Sequence, residues 1–413
     1  MRTRIEVKDY SRMEPAPIPT TSARLKEDYL SRSHLIDGVP STIPSDKGGE
    51  IQIRAAERTA PPLKMVLFAQ PGSPSSHKDA SAFVSLSKAL SARGHRLLIL
   101  EREQNSKKKK EPPPCGQSTS YNSVKELKDR FAPAIRNADF VMISSNVSDA
   151  AVVGEWVIHT AQGTTAFYDL DTPTTLAKLD NGQNGHLSRA LLSRYHLYLS
   201  FTGGPLLELV RKYYGSPMVR PLYGSVDTSI YYPERLKLKW DLGYTGDFSE
   251  DRLPGLDELL LEPARSWPGG HFVVAGQGFS HMPDWPENTK RAAHPTAGSE
   301  RAFYNAQRFT LNVAGADMID AGFSPSLRIF EAAACGTPII SDYWESLESF
   351  FQPDEEILFA RSAEEVLDYL RGIGEDERLR IGDNARRKVL GEHSAEHRAF
   401  ELESYAMEAM AKV

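Results

Sequence analysis

The sequence predicts an α/β protein of two Rossmann-like domains, each built around a parallel sheet. Three observations carry this. The 413 residues suffice for two domains of ordinary size. From Lys64 onward, short apolar runs alternate with helix-patterned segments, the signature of βα units. The alternation pauses at Tyr231-Tyr-Pro-Glu-Arg235 and then resumes, as a linker between two such domains would make it do.

Composition narrows the class. Hydrophobic residues make up 40% and charged residues 25% of the chain, which suits a soluble globular protein. A net charge of −6 argues against a general nucleic-acid binder. The two cysteines, Cys115 and Cys335, do not suggest a disulfide framework, so a reducing cytoplasm is the expected setting. No run has the length of a transmembrane helix.

Residues 1–62 are polar, proline-rich and mixed in charge, and read as a mobile extension with one short amphipathic helix over 25–35. A partner-docking role is the alternative. The domain expected over 63–230 opens with a buried strand at 65–69, a helix at 80–93 ended by Gly94, and a strand at 96–101. The 70–79 loop lies at the carboxyl end of a strand, where open α/β folds place ligands. It has one glycine, so a dinucleotide fingerprint is absent, and His77 is its only histidine. Lys107–Lys110 heads a charged insert, read as a solvated loop or as a patch for anionic lipid or an anionic acceptor.

Further on, strand 140–144, helix 150–161 and strand 164–168 lead to Asp169-Leu-Asp171, two carboxylates at a strand end. Such a pair can hold a divalent cation. Asp171 alone can serve as a general base or cap the Thr-Pro turn that follows. Strand 197–200 runs into Thr202-Gly203-Gly204, where the glycines permit either close approach of a ligand or a plain turn. Residues 219–223 close the domain.

The second domain, expected over 231–394, restarts with a strand into Gly246, then Asp247-Phe-Ser-Glu-Asp-Arg252 and a leucine-rich helix. Arg252 can face the turn or pair with Asp251 or Asp257. A strand over 271–275 ends at Gly276. His294 follows a short strand, either enclosing a ligand or capped within its loop. A helix over 299–308 and a strand over 310–313 lead into the most informative stretch.

That stretch is Phe323-Ser-Pro-Ser-Leu-Arg-Ile-Phe-Glu-Ala-Ala-Ala-Cys-Gly-Thr-Pro-Ile-Ile-Ser-Asp342. It reads as loop, helix, turn and strand. Ser324 and Ser326 suit helix N-caps, and Leu327, Ile329, Phe330 and Ala334 give an apolar face. Gly336 suits the C′ position and Pro338 prevents the helix from restarting. The helix start is an anion site, because its first amides lack partners and its dipole is positive there. Arg328, one turn inside, adds a charge-assisted contact for phosphate. Glu331, three residues further, is placed to accept both hydroxyls of a ribose. Together these describe a nucleoside-diphosphate site.

Short helices are expected over 345–350 and 364–370, a strand over 357–359, a helix over 375–390 and a last one over 397–410.

At these residues the chain resembles the bacterial spore-maturation CgeB-like glycosyltransferases, themselves similar to the GT-B class. The resemblance rests on the stretch above, on Tyr304-Asn-Ala-Gln-Arg-Phe-Thr-Leu-Asn-Val313 before it and on His393-Ser-Ala-Glu-His-Arg-Ala399 after it. Ala166-Phe-Tyr-Asp-Leu-Asp-Thr-Pro173, Leu199-Ser-Phe-Thr-Gly-Gly-Pro205 and Gly243-Tyr-Thr-Gly-Asp-Phe-Ser-Glu-Asp-Arg252 extend it upstream, to about Lys64.

The resemblance implies the GT-B fold, with two domains facing across a cleft and the donor mainly on the second. It implies sugar transfer from a nucleotide-diphosphate sugar, UDP-sugar by default, to an acceptor hydroxyl without a metal. Gly246, Arg252, Gly276, His294, Ser324, Ser326, Leu327, Arg328 and Glu331 would bind the donor. Asp171, Arg252 and Glu331 would carry the chemistry, with Asp171 orienting or deprotonating the acceptor. Helix 395–413 would cross back to the first domain. The acceptor is a glycan, a lipid-linked glycan or a small molecule, and peripheral membrane contact stays open. Two alternatives remain: a metal-dependent transferase using Asp169 and Asp171, as in the GT-A class, and a non-catalytic sugar-nucleotide-binding protein. Retaining GT-B enzymes often carry two glutamates with seven residues between them; with Glu331 as the second, the first position holds Phe323, with Asp320 nearby.

Overall fold

A computed structural model describes residues 61–69, 77–103, 117–183, 185–282, 284–295, 298–344 and 346–412. The expected 1–62 extension (apart from its last two residues), the 70–76 part of the first loop, the side chain of His77, the lysine insert and Cys115 lie outside the described residues.

The first sheet has seven parallel strands: β1 (Lys64–Phe68), β2 (Arg96–Arg102), β3 (Gln117–Tyr121), β4 (Phe140–Ser144), β5 (Thr164–Asp169), β6 (Leu197–Ser200) and β7 (Val219–Pro221). Their order is β3-β2-β1-β4-β5-β6-β7. Helices α1 (His77–Ala92), α2 (Val124–Arg136), α3 (Ala150–Thr160), α4 (Thr172–Asp180), α5 (Arg189–Leu192) and α6 (Pro205–Tyr213) connect them. Helices on both faces explain why β4 and β5 are buried at every position. Edge strand β3, Gln-Ser-Thr-Ser-Tyr, is polar and escaped the sequence reading.

The second sheet comprises β8 (Trp240–Thr245), β9 (Phe272–Ala275), β10 (Thr289–Ala292), β11 (Gln307–Asn312), β12 (Ile339–Ser341) and β13 (Leu358–Phe359). The order is β10-β9-β8-β11-β12-β13, all parallel. The strand order reverses between β8 and β11, so a crevice opens at their carboxyl ends. Helix α7 (Leu253–Leu256), a π-helical turn (Asp257–Leu261) and α8 (Glu262–Ser266) follow β8. Then come α9 (Glu300–Asn305), α10 (Ala316–Ala321), α11 (Leu327–Ala334), α12 (Ala363–Gly372), α13 (Glu375–Glu392) and α14 (Ala395–Met410).

Several sequence boundaries shift. The helix expected over 299–308 is only Glu300–Asn305, because β11 starts at Gln307 and pairs with Trp240. The helix expected over 345–350 is a single 3-10 turn, Leu347–Ser349. Helix α10 was not foreseen; six residues are too few for a periodicity to show.

Two crossings join the domains. Val226 pairs with Ser394 as an isolated parallel bridge, so the outward linker and the return to α14 lie side by side. Helix α14 then packs on the first domain. Ala399, Leu402, Ala406 and Ala409 share a core with Leu86, Leu90 and Met142. Arg93 donates twice to Glu403 on that helix, at 2.6 and 3.0 Å, and Arg220 clamps Glu408 the same way. These are forked pairs with matched geometry.

Candidate donor site

Helix α11 forms as its sequence dictates. Gly336 stands at φ +70 and its N–H reaches the Ala333 carbonyl at 2.8 Å, while Thr337 reaches Ala332 at 3.0 Å. That is a Schellman-type end, which requires a left-handed residue. The start differs from expectation. Ser326 is the N-cap residue, but its hydroxyl does not bond the helix amides. It donates instead to Asn312 Oδ1 at 3.3 Å. Ser324 is no cap at all. Its hydroxyl lies 3.2 Å from Thr202 Oγ1 on the first domain. With neither serine side chain spent on the helix, the first amides of α11 keep their anion-binding potential.

Arg328 lies one turn in and ties the start of α11 to the end of β8. Nη1 donates to the Thr245 carbonyl at 2.8 Å and to the Tyr244 hydroxyl at 3.2 Å, and Nε to Ser326 Oγ at 3.4 Å. Gly246 is what lets it lie there: a β-carbon at this position, φ +159, would strike Nη1. Gly276 is needed for a different close approach. A β-carbon on it would collide with the Gly246 carbonyl, so the turns after β8 and β9 sit back to back.

Arg252 stands at the start of α7. The structure removes the ion pairs offered for it by sequence: Asp257 pairs with Arg265, and Asp251 accepts the Ala316 N–H at 3.0 Å. Nε of Arg252 is buried and finds no acceptor among the described residues. The guanidinium instead lies against Gly315, where an added β-carbon would meet Nη2 at 3.2 Å.

Within reach of the charge of both arginines is Asp342, read from sequence only as the end of a strand. Its carboxylate accepts the Ala314 N–H at 2.9 Å and the Ser341 hydroxyl at 3.2 Å. Ser341 in turn receives Asn312 Nδ2 at 2.9 Å, and Asn312 holds Ser326. Burial pushes Asp342 up to about 6, against the pull of these donors and of Arg328 and Arg252.

Glu331 is only 5% exposed and accepts the Tyr304 hydroxyl at 2.9 Å. Tyr231 stands beside the same carboxylate. Neither tyrosine was given a site role by sequence, although Tyr231 heads the quoted linker and Tyr304 a quoted motif. His294 is half-buried, with Nδ1 3.0 Å from the Pro295 carbonyl, which favours the capped-loop alternative. Leu327 is buried against the first domain: a β-carbon on Gly224 would strike its Cδ2.

On the facing domain the two aspartates part company. Asp169 is 0% exposed. Its oxygens take the Tyr198 hydroxyl, the Thr175 hydroxyl at 3.0 Å and the Asp171 N–H at 3.2 Å. Burial raises its proton affinity despite those donors. It cannot turn to a cleft ligand without abandoning all three. Asp171 is exposed and caps α4 through the Thr174 N–H at 3.3 Å. Across the domain boundary, burial and then the charges of Asp171 and Asp251 raise Asp317 on α10, which places Asp171 near the second domain. Among the described residues no cluster of three or more histidine, cysteine or carboxylate groups could hold a metal, and no helix is long and apolar enough to cross a membrane.

Residues 252–404 match a family model described as glycosyl transferase-like, so the second domain is of glycosyltransferase type. No curated protein matches the chain by sequence. Among solved structures, sucrose-phosphate synthase from Thermosynechococcus elongatus is 15% identical, with a TM-score of 0.60, covering 85% of this chain and all of its own. HepE from Anabaena, solved with UDP and glucose, is 12% identical with a TM-score of 0.58, over 84% of this chain and all of its own. An alpha-glucosyltransferase solved with UDP and a 13-mer DNA is 11% identical with a TM-score of 0.63, over the same shares. These likenesses establish the GT-B fold.

Proposed function

We propose that the protein is a CgeB-like GT-B glycosyltransferase that moves a sugar from a UDP-sugar to an acceptor hydroxyl, without a metal, in the cytoplasm. One observation carries the reading. The start of α11, Arg328, Arg252 and the Gly246 turn meet at the carboxyl ends of β8, β11 and β12, and Arg252 has a buried donor without an acceptor. The UDP and UDP-glucose complexes of structural neighbours support the choice of donor.

In this reading the diphosphate lies against the α11 amides between Arg252 and Arg328. As the bond from the sugar carbon to the diphosphate oxygen breaks, negative charge grows on the leaving group. The two guanidiniums and the amides are already oriented for that charge, so they stabilise the transition state more than the ground state. Glu331 receives the ribose hydroxyls, with Tyr304 fixing its rotamer. The acceptor oxygen attacks the sugar carbon, and Asp171 takes its proton. The burial and bonding of Asp169 support this over a metal bridge from the two aspartates. The acceptor comes from glycans, lipid-linked glycans or small molecules.

Calorimetric titration with nucleoside diphosphates, with and without chelator, tests the proposal. Micromolar UDP binding that survives chelator is the expected result. Binding that needs a divalent cation would transfer the site to the metal alternative. Donor binding without transfer or slow donor hydrolysis would make the chain a binding protein. Glu331→Ala should weaken UDP about tenfold, the loss of one or two hydrogen bonds, with the protein still folded.

A further inference from the structure

The loop that enters α11 is held from outside its own domain. Phe323 has φ +40, a left-handed conformation that a residue with a β-carbon adopts at a cost. Such a residue persists where its surroundings over-determine it. Here the surroundings are the turn after β6. The Gly203 N–H donates to the Phe323 carbonyl at 2.9 Å. The Phe323 ring lies on Gly204, where a β-carbon would strike it, and Gly204 itself needs φ +66. The neighbouring hydroxyls of Thr202 (1% exposed) and Ser324 (9%) lie 3.2 Å apart. A second niche at Gly224 receives Leu327. Thus Phe323, Ser324 and Leu327, which frame the start of α11, all rest on first-domain residues that are small or lack a side chain.

We propose that Phe323 is a positioning residue: seated in the Gly203–Gly204 niche of the first domain, it makes the shape of the donor loop conditional on the two domains being together. This rests on the donor-site reading above. Of the two glycines read from sequence as a close ligand approach or a plain turn, Gly204 makes room for the Phe323 ring and Gly203 for the Tyr223 hydroxyl. When the domains part, the carbonyl of Phe323 loses its donor, the ring loses its seat, and the left-handed backbone relaxes. The amides that follow then no longer converge on one point. Donor is therefore held firmly only in the closed arrangement, where water is excluded, which limits its wasteful hydrolysis.

The test uses the full chain and four variants: Phe323→Ala, Phe323→Leu, Thr202→Val and, as a control on the donor site, Arg328→Met. UDP affinity is measured by calorimetry and backbone protection by hydrogen exchange. Phe323→Ala should weaken UDP about tenfold and speed exchange at Gly203 and over 322–328, leaving β1 and β12 protected. Phe323→Leu should restore most of both, since an apolar side chain again fills the niche. Thr202→Val should weaken UDP about twofold to threefold, as expected for one lost hydroxyl contact. Unchanged exchange at Gly203 and 322–328 in Phe323→Ala overturns the proposal whatever UDP does. Faster exchange with unchanged UDP affinity, while Arg328→Met binds poorly, overturns the link to the donor. Failure of wild type to bind UDP removes the donor reading and with it the positioning role, leaving exchange to show only whether Phe323 holds the loop.

Discussion

Each domain places an aspartate at or just past the carboxyl end of an inner strand and uses it in the opposite way. In the first domain Asp169 is the last residue of β5, completely buried, with both oxygens engaged by Tyr198, Thr175 and the Asp171 amide. In the second, Asp342 lies one residue beyond β12 and is half-buried, and the arginines beside it also keep partial exposure. One residue of offset decides the outcome. A carboxylate within the strand is drawn into the helix–sheet packing, while one just past it stays at the crevice. Shared topology therefore does not give the two crevices the same chemistry.

Breaking each side of this comparison should give different symptoms. The largest effect is expected on the first domain. Asp169→Ala strands two buried hydroxyls and an amide, so it should cost roughly 3 kcal/mol or more of stability, read by denaturant titration. Where the variant remains folded, UDP affinity should stay within about twofold. Asp171→Ala removes one cap, roughly 1 kcal/mol, but should slow transfer by about 100-fold or more if it is the base. A stability loss with unchanged turnover would return Asp171 to its capping role alone.

On the second domain, Arg328→Met should weaken UDP by about tenfold to a hundredfold, the range for a charge-assisted contact. Some stability goes too, since the Thr245 carbonyl loses its donor at 2.8 Å. Arg252→Met should weaken UDP with less effect on stability, because no hydrogen bond from its side chain holds another described element. Equal stability losses in the two variants would blur the distinction between a bonded and an unengaged guanidinium.

The sequence made the alternation of strands and helices legible, because buried parallel strands are short continuous apolar runs. The end of α11 was legible for a similar reason: Gly336 and Pro338 act locally. Ser324 was misread because its partner, Thr202, is 122 positions away and on the other domain. Phe323 carried no signal either; its left-handed backbone exists only with Gly203 and Gly204 opposite. Arg328 and Glu331 could be placed on the helix by spacing, but their partners, Thr245 at the end of β8 and Tyr304 on α9, follow from tertiary packing, which no local pattern encodes. Asp169 could be placed at a strand end beside Asp171, but its burial against Tyr198 and Thr175 could not be read from the sequence.

The last effect concerns pH and separates the two aspartates once more. Burial holds Asp342 near 6, above its ordinary value of 3.8. The folded state thus binds a proton more tightly than the unfolded chain. Its contribution to stability is complete below the unfolded value and is lost as pH rises from about 4 through about 6. The loss should be on the order of 1–3 kcal/mol. Asp342→Asn should flatten that part of the profile while keeping an oxygen for the Ala314 amide. A bound diphosphate, being anionic, would favour the protonated carboxyl further, so UDP binding near pH 6.5 should draw in protons. Calorimetry in buffers of different ionisation enthalpy reads that uptake. Wild type should show it and Asp342→Asn should not, whereas Asp169, sealed away from the crevice, should leave it unchanged when replaced. Equal uptake in wild type and Asp342→Asn would place the titrating group elsewhere and remove Asp342 from the donor crevice.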